Sequence, residues 1–446
     1  MTDIKRLKTI SCSFPVLLSV VCILYSVVCI LSPANAEEYS FDITETEKKL
    51  YHIGGYAELK PVLFGLDKNA ALYKLKFYNR DEGATIQEYN ATLQLEGSLE
   101  KGIARLFVRT NTDYKKSYLG VDQKTIIYEG FLSLKPSSSL TIDMGKKTLK
   151  WGKGYAWSPV AFIDRPKDPD DPELSLEGFI IASADYIKSF QGPLKTVSFT
   201  PVLVPVYKHV NDTFGEFNKL NFAAKLYLLL YDTDIDFIIL TGGSKTTRYG
   251  VDFSRNISTN LEIHGEFAFI NDYKTNFIDS NGNNFEKKYD AKSYLIGIRY
   301  LTEKEATFIL EYYRNGTGFT YGEMKDYFSF INKGYDSYIS TGSDTLLKKA
   351  VTITEGNYGR PNPTRDYIYL RVSQKEPFDI LYFTPSIIGI LNINDRSFSL
   401  SPELLYTGIT NLELRLKTTF IAGERKSEYG EKQNDYKAEL RIRYYF

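Results

Sequence analysis

The chain has 446 residues, and its 55 Lys and Arg are balanced by 55 Asp and Glu, so no net charge draws it to nucleic acid. Apolar residues make up 43%, which excludes wholesale disorder, and 35 Tyr and 28 Phe against 3 Met and 3 Cys favour strands over helices.

All three cysteines, Cys12, Cys22 and Cys29, lie in an opening segment that reads as a secretory signal. Lys5, Arg6 and Lys8 form a basic start, Phe14 to Leu31 is mostly apolar, and Ala34-Asn35-Ala36 supplies the small residues that a signal peptidase accepts. Cleavage after Ala36 would leave 410 residues with 52 basic and 54 acidic side chains and no cysteine, so no disulfide is expected. The apolar stretch is longer than usual, which keeps an uncleaved helical anchor open as an alternative. Residues 37–54 are expected to form a short periplasmic segment, and 55–446 a single domain.

Beyond Ala36 no apolar run approaches the ~20 residues that a membrane-spanning helix needs. What recurs is period-two alternation over segments of about ten residues, apolar on one face and charged on the other. From Gly55 onward there are eighteen candidate strands, with sixteen as the alternative. Connections after even-numbered strands are short: Glu96 to Lys101, Pro136 to Ser139, Ser189 to Lys195, Asp232 to Asp234, Arg255 to Thr259, Leu301 to Glu305, Lys375 to Asp379 and Thr407 to Thr410. Connections after odd-numbered strands include long ones, Leu66 to Glu82, Thr112 to Gln123, Thr148 to Glu177, Tyr207 to Lys219, Asn271 to Asp290 and Asn315 to Arg365; two near Gly243 and Asn394 are short and fit less well. Segregation of connection length by parity, with an even strand number, predicts an all-β fold, a transmembrane antiparallel up-and-down β-barrel.

The lipid face of such a barrel must be free of charge. Tyr89, Ala91, Leu93 and Leu95, then Leu106 and Val108, Ile142 and Met144, Val251 and Phe253, and Ile296 and Ile298 are expected to point outward. The opposite faces carry Arg105, Arg109, Glu129, Asp143, Glu262, His264, Glu266, Arg299, Glu311, Arg371, Arg415, Lys417, Arg441 and Arg443, the expected pore lining. Tyr near strand ends suits the aromatic girdles at the two membrane interfaces.

In the last strand Ala438, Leu440, Ile442, Tyr444 and Phe446 share one face. This ending resembles the C-terminal signal of bacterial outer-membrane β-barrels, in which a terminal Phe follows alternating apolar residues. The resemblance implies that Tyr444 and Phe446 are read by the barrel-assembly machinery, and that the mature chain is embedded in outer-membrane lipid. The loop after the fifth strand leads through Lys146 and Lys147 into Trp151-Gly152-Lys153-Gly154, and continues to a Pro/Asp-rich stretch from Asp164 to Pro172. It is similar to loops of alginate-export-type and related porin-like barrels, a match that supports the architecture and not a polysaccharide substrate. Lys146, Lys147, Trp151, Lys153 and Trp157 are the candidates for a constriction, with anchoring of the two Trp at the outer interface as the favoured reading.

Asp164, Asp168, Asp170, Asp171 and Glu173 lack the spacing of an EF-hand, so solvated acids rather than a calcium site are expected. His264 between Glu262 and Glu266 suggests a catalytic or metal trio, but polar groups on a watery face need no such purpose, and with only His52, His209 and His264 available no enzyme, metal or cofactor is expected. A barrel of about 16 to 18 strands encloses an aqueous channel. The expectation is therefore passive or facilitated diffusion of small hydrophilic solutes, with a weak preference for anions; a surface-polysaccharide export or anchoring barrel and an outer-membrane hydrolase are the alternatives, and association of three copies is left open.

Overall fold

The alternation becomes eighteen antiparallel strands in the computed structural model, which describes residues 50–446. The signal segment and residues 37–49 lie outside the described residues, and the first strand begins at Tyr51, four residues ahead of Gly55.

In chain order the strands are β1 (Tyr51–Leu66), β2 (Thr85–Lys101), β3 (Ala104–Ser117), β4 (Gly120–Ser137), β5 (Leu140–Lys147) and β6 (Phe179–Ser189). They continue with β7 (Leu194–Val206), β8 (Lys219–Leu230), β9 (Thr233–Thr241), β10 (Arg248–Ser258), β11 (Leu261–Ile278) and β12 (Asn284–Leu301). The last six are β13 (Ala306–Arg314), β14 (Asp366–Gln374), β15 (Phe383–Asn392), β16 (Ser397–Ile409), β17 (Leu412–Ala422) and β18 (Asn434–Tyr445). Each strand pairs with its sequence neighbours, and β18 returns to β1 with Leu59 opposite Ile442, which closes the sheet. Phe446 completes the seam by donating its N–H to Gly55 O and accepting from Gly55 N, both at 3.1 Å. Closure leaves no edge strand to template aggregation.

Connection length follows parity as the sequence predicts. After even-numbered strands the turns span two to eight residues, and the long excursions all follow odd-numbered strands. Two expected loops are instead strand. The alternation of β3 and β4 runs on to a two-residue turn at Tyr118-Leu119, and β11 and β12 reach Ile278 and Asn284. Polar residues on both faces, such as Lys115, Lys116 and Lys288, mark these parts as ladder that rises beyond an apolar belt, so the hydrogen bonds of the hairpin persist where lipid contact would not.

The odd-connection end carries a small helical layer: α1 (Ala71–Phe77), α2 (Tyr321–Thr341) and α3 (Thr345–Ile353). A capping box of Thr320 and Glu323 starts α2, and Gly342 at φ 74° ends it. Met324, Tyr327, Phe328 and Ile331 fall at the helical period and bury against Leu347, Ala350, Leu75 and Ile278. The middle of the long 315–365 connection is thus a packed helical cap.

Around the waist the outward positions are apolar and exposed, for instance Leu106, Leu132, Phe237, Phe253, Ile296, Leu310 and Leu440. Inward positions at the same heights are polar and buried, among them Asn111, Asp236, Asp252, Glu266, Glu311 and Lys417. This inversion is what a barrel wall facing hydrocarbon outside and a polar interior requires.

Candidate functional site

Loop 148–178 folds into the barrel, and wall side chains hold it by its backbone. At the loop's entry Asp164 accepts from the N–H groups of Leu149, Lys150 and Trp151 at 2.9, 3.1 and 3.0 Å, folding the segment back on itself. Gly152, at φ 97°, permits the turn, and any Cβ there would strike Ser158 Oγ. Glu266 of β11 then accepts from Lys153 N and Gly154 N at 2.6 Å each, Ser158 Oγ at 3.0 Å and Val160 N at 3.2 Å. Glu311 of β13 receives Tyr155 N and, at 2.9 Å, Ala156 N. A buried carboxylate is tolerable when its lone pairs are filled in this way.

Further along, Asp171 reaches Arg441 at 2.6 Å and Arg415 at 3.3 Å, Lys417 donates to Asp170 O, and Glu173 meets Arg371 at 3.1 Å. Glu177 closes the excursion with Lys146 at 2.5 Å and Arg165 at 3.1 Å. The loop is therefore pinned to β11, β13, β14, β17 and β18 before it returns to β6. Burial alone would raise the Asp171 pKa, but Arg441 and Arg415 outweigh it and hold the carboxyl at about 2. Burial raises Glu173 against the opposing pull of Arg415, and lowers Lys167, whose ammonium donates to Gly154 O at 2.6 Å.

The sequence-derived residues differ in where they lie and what holds them. Arg371, Arg415, Lys417, Arg441, Glu266 and Glu311 face inward and are engaged by the loop, while Arg443 lies deeper on Glu58 at 2.6 Å. Arg109 bridges Glu96 and Glu129 at 3.2 and 2.9 Å, and Glu129 also takes Thr148 N. Arg105 reaches Glu100 at 3.4 Å near the even-connection end, and Arg299 lies on the inward parity of β12 towards the same end. Lys147 pairs with Asp143 at 2.6 Å and Lys153 with Asp236 at 3.1 Å. Lys146 shares the outward parity of Ile142 and Met144, so as a constriction residue it is corrected: alternation carries it off the lumen wall.

The Trp pair is likewise not at the outer interface. Trp151 is buried with Phe162, Phe179 and Val204, and Trp157 stacks on Tyr313 at 5.1 Å while its Nε1 donates to Asn362 at 3.2 Å. The Glu262–His264–Glu266 grouping that the spacing suggests does not assemble. Glu262 stands 3.7 Å from His264 Nδ1, Glu266 is occupied by the loop, and His264 Nε2 instead meets Glu311 at 2.9 Å. Nor do the loop acids converge: among the described residues no three acidic, His or Cys side chains are placed to hold a metal. Tyr444 and Phe446 stand exposed at the seam.

Between the loop and the odd-connection end lies a cavity of about 710 Å³. Its charged lining is Arg109, Lys150, Arg165, Lys167, Lys245, Arg248 and Arg360 against Glu129, Asp164 and Glu173. Sequence reasoning missed Lys245, Arg248 and Arg360. The short 242–247 connection placed the first two just inside an odd-end turn, a signal available but not used.

These features define a transmembrane β-barrel with an inward-folded loop. No family model matches the chain, and no curated protein matches it by sequence. Among solved structures it is similar to Pseudomonas aeruginosa OccK11 (OpdR), with 11% identity and a TM-score of 0.49 over 88% of this chain and 96% of that one. It is also similar to Pseudomonas aeruginosa OprD, with 9% identity and a TM-score of 0.48 over 90% and 97% of the two chains. A triple mutant of Rhodopseudomonas blastica porin gives 9% and 0.42 over 89% and 100%. Likeness at this level specifies neither a family nor a solute.

Proposed function

We propose that the protein is a bacterial outer-membrane channel through which small hydrophilic solutes diffuse, with a preference for anions. The observation that carries the reading is the inverted polarity of a closed eighteen-stranded wall, apolar outside and polar within, since ionised side chains on nearly every inward face need solvent or partners inside the barrel. The polar anchors of loop 148–178 named above bypass β2 and β3, where Glu96 and Arg109 remain partly exposed. The solute path runs along that wall, from the cavity at the outer end past Arg109.

The anion preference rests on the cavity lining, seven cations against three carboxylates, of which Asp164 is spent on loop backbone and Glu129 on Arg109. Planar-bilayer recordings of the refolded mature chain under a salt gradient test both parts. Discrete conductance steps with an anion-selective reversal potential, reduced by Arg109→Glu, are expected. A silent bilayer overturns the channel, and clear cation preference overturns the selectivity.

A further inference from the structure

One side of the cavity gathers three cations: Lys245 and Arg248 from the wall, and Arg165 from the inward loop itself. Lys245, in the 242–247 turn, donates to Phe162 O at 3.3 Å and lies 3.8 Å over the ring of Phe214, with no carboxylate partner. Phe214 meets Phe179 edge-on at 5.1 Å, and the Arg165 guanidinium lies 4.8 Å over that second ring. Through these two rings Lys245 and Arg165 are held on the lining of the same cavity. Arg248 opens β10 three residues after Lys245 and lines the same cavity. The Nε atoms of Arg165 and Arg248 are both buried without a hydrogen-bond acceptor. The single counter-charge is Glu177, which Arg165 shares with Lys146.

Three cations that line one cavity with one carboxylate among their ion-pair partners leave an excess of positive charge that an anion in the cavity would neutralise. We propose that Lys245, Arg248 and Arg165 form a binding site for a small, doubly charged oxyanion at the wall of this cavity. The ligand supplies what the protein does not: a counter-charge for the Lys245 ammonium, and oxygens for the guanidinium groups of Arg165 and Arg248 where they line the cavity.

The site has a signature that simple screening would not produce. Burial first, then the nearby Arg248 and Arg165, push Lys245 down to about 7. The other charged and titratable groups near its turn offer it no negative charge: Lys219 of β8 runs beside Gly243, Tyr273 lines the cavity, and Glu216 is joined to the turn through backbone, from its N–H to Ser244 O at 3.0 Å. A dianion placed against Lys245 raises its proton affinity again, so binding takes up a proton at pH values above about 7.

The proposal deepens the channel reading and rests on it only in that the anion must reach the cavity; binding is read without conduction, so either can fail alone. Inorganic sulfate is the probe, because it does not titrate near neutrality and any proton taken up belongs to the protein. Calorimetric titration of the detergent-solubilised mature chain at about pH 8, in two buffers of different ionisation enthalpy, should show saturable binding with most of one proton taken up per sulfate. Lys245→Arg should keep the binding and lose the proton uptake, and Arg248→Gln should weaken binding by about tenfold or more. No saturable binding by the wild-type protein, or proton uptake unchanged in Lys245→Arg, overturns the site.

Discussion

His264 Nε2 and Glu311 Oε1 meet at 2.9 Å across Gly297, the β12 residue that lies opposite both in the sheet. A Cβ on Gly297 would come within 2.2 Å of that imidazole nitrogen and 2.9 Å of Glu311 Cγ. The missing side chain lets two non-adjacent strands be bridged, and the bridge fixes the carboxylate that holds Tyr155 and Ala156 of the inward loop. Sheet, bridge and loop are one mechanical unit.

Gly297→Ala should therefore act on the loop more than on the barrel. Forcing a methyl group into the bridge costs about 1–3 kcal/mol, much of it taken up by displacing Glu311 from the loop backbone. Single-channel recordings should show added open-channel noise, and protease should cut near Tyr155 sooner, while the sheet content measured by circular dichroism stays unchanged. Unchanged protection of the loop would show that the bridge does not brace it.

The ion pairs of Asp171 set the pH range over which the loop's far end stays docked. Its carboxyl sits at about 2 in the folded protein against 3.8 for the free group. A depressed carboxyl contributes stability that is complete above the free value and disappears as pH falls through the folded one. Docking on Arg415 and Arg441 should hold from neutrality to near pH 4 and fail between there and pH 2, a loss of about 2 kcal/mol. Asp171→Asn should release the same contacts at neutral pH. Conductance recorded as a function of pH in the two proteins checks this: the wild type should convert to the mutant's behaviour only in acid.

The architecture was legible because its cause is local. Alternation in β18 can be read from Lys437 to Phe446 alone, and turn length follows parity without knowledge of any contact. The residues that shape the interior were legible only as charges on a watery face. Glu266 and Gly154 lie 112 positions apart, and Asp171 and Arg441 lie 270 apart, so nothing in a sequence window tells a carboxylate that lines a pore from one that grips a loop. The same applies to Trp157: aromatic residues near a loop entry suit a membrane girdle, and only the fold brings Tyr313 and Asn362 to the indole. The helical cap was obscured by Gly316, Gly318 and the Pro361-Asn362-Pro363 stretch, which advertise turns at the ends of the connection and draw attention from the helical spacing of Met324, Tyr327, Phe328 and Ile331.

Trp151 and Trp157 are the chain's 2 tryptophans, and they are 4% and 7% exposed inside the barrel. Intrinsic emission should be blue-shifted and poorly quenched both by aqueous iodide and by brominated acyl chains, a combination that interface-anchored indoles would not give. Trp157→Ala removes the stack on Tyr313 and the bond to Asn362, and should cost about 3–5 kcal/mol of loop packing. Strong quenching of the wild type by brominated lipid would place the indoles at the girdle after all.

The sharpest test of the inverted wall sets an outward substitution against an inward one on a single strand. Ile296 is 59% exposed on the outer face of β12, and its neighbour Leu295 is 2% exposed within. If hydrocarbon surrounds the belt, Ile296→Arg must take a guanidinium into it, at a cost of about 2–4 kcal/mol at mid-membrane depth. Urea titration of folding into lipid vesicles should show that loss, and folding into detergent micelles, where the head group reaches water more easily, should show much less of it. Leu295→Ala should behave in the opposite way. Its cavity beside Trp157 and Tyr369 lies within the barrel, so the loss, about 2–5 kcal/mol, should be the same in vesicles and micelles. An Ile296→Arg penalty that does not depend on the surrounding lipid would mean that this face is packed against something other than a membrane.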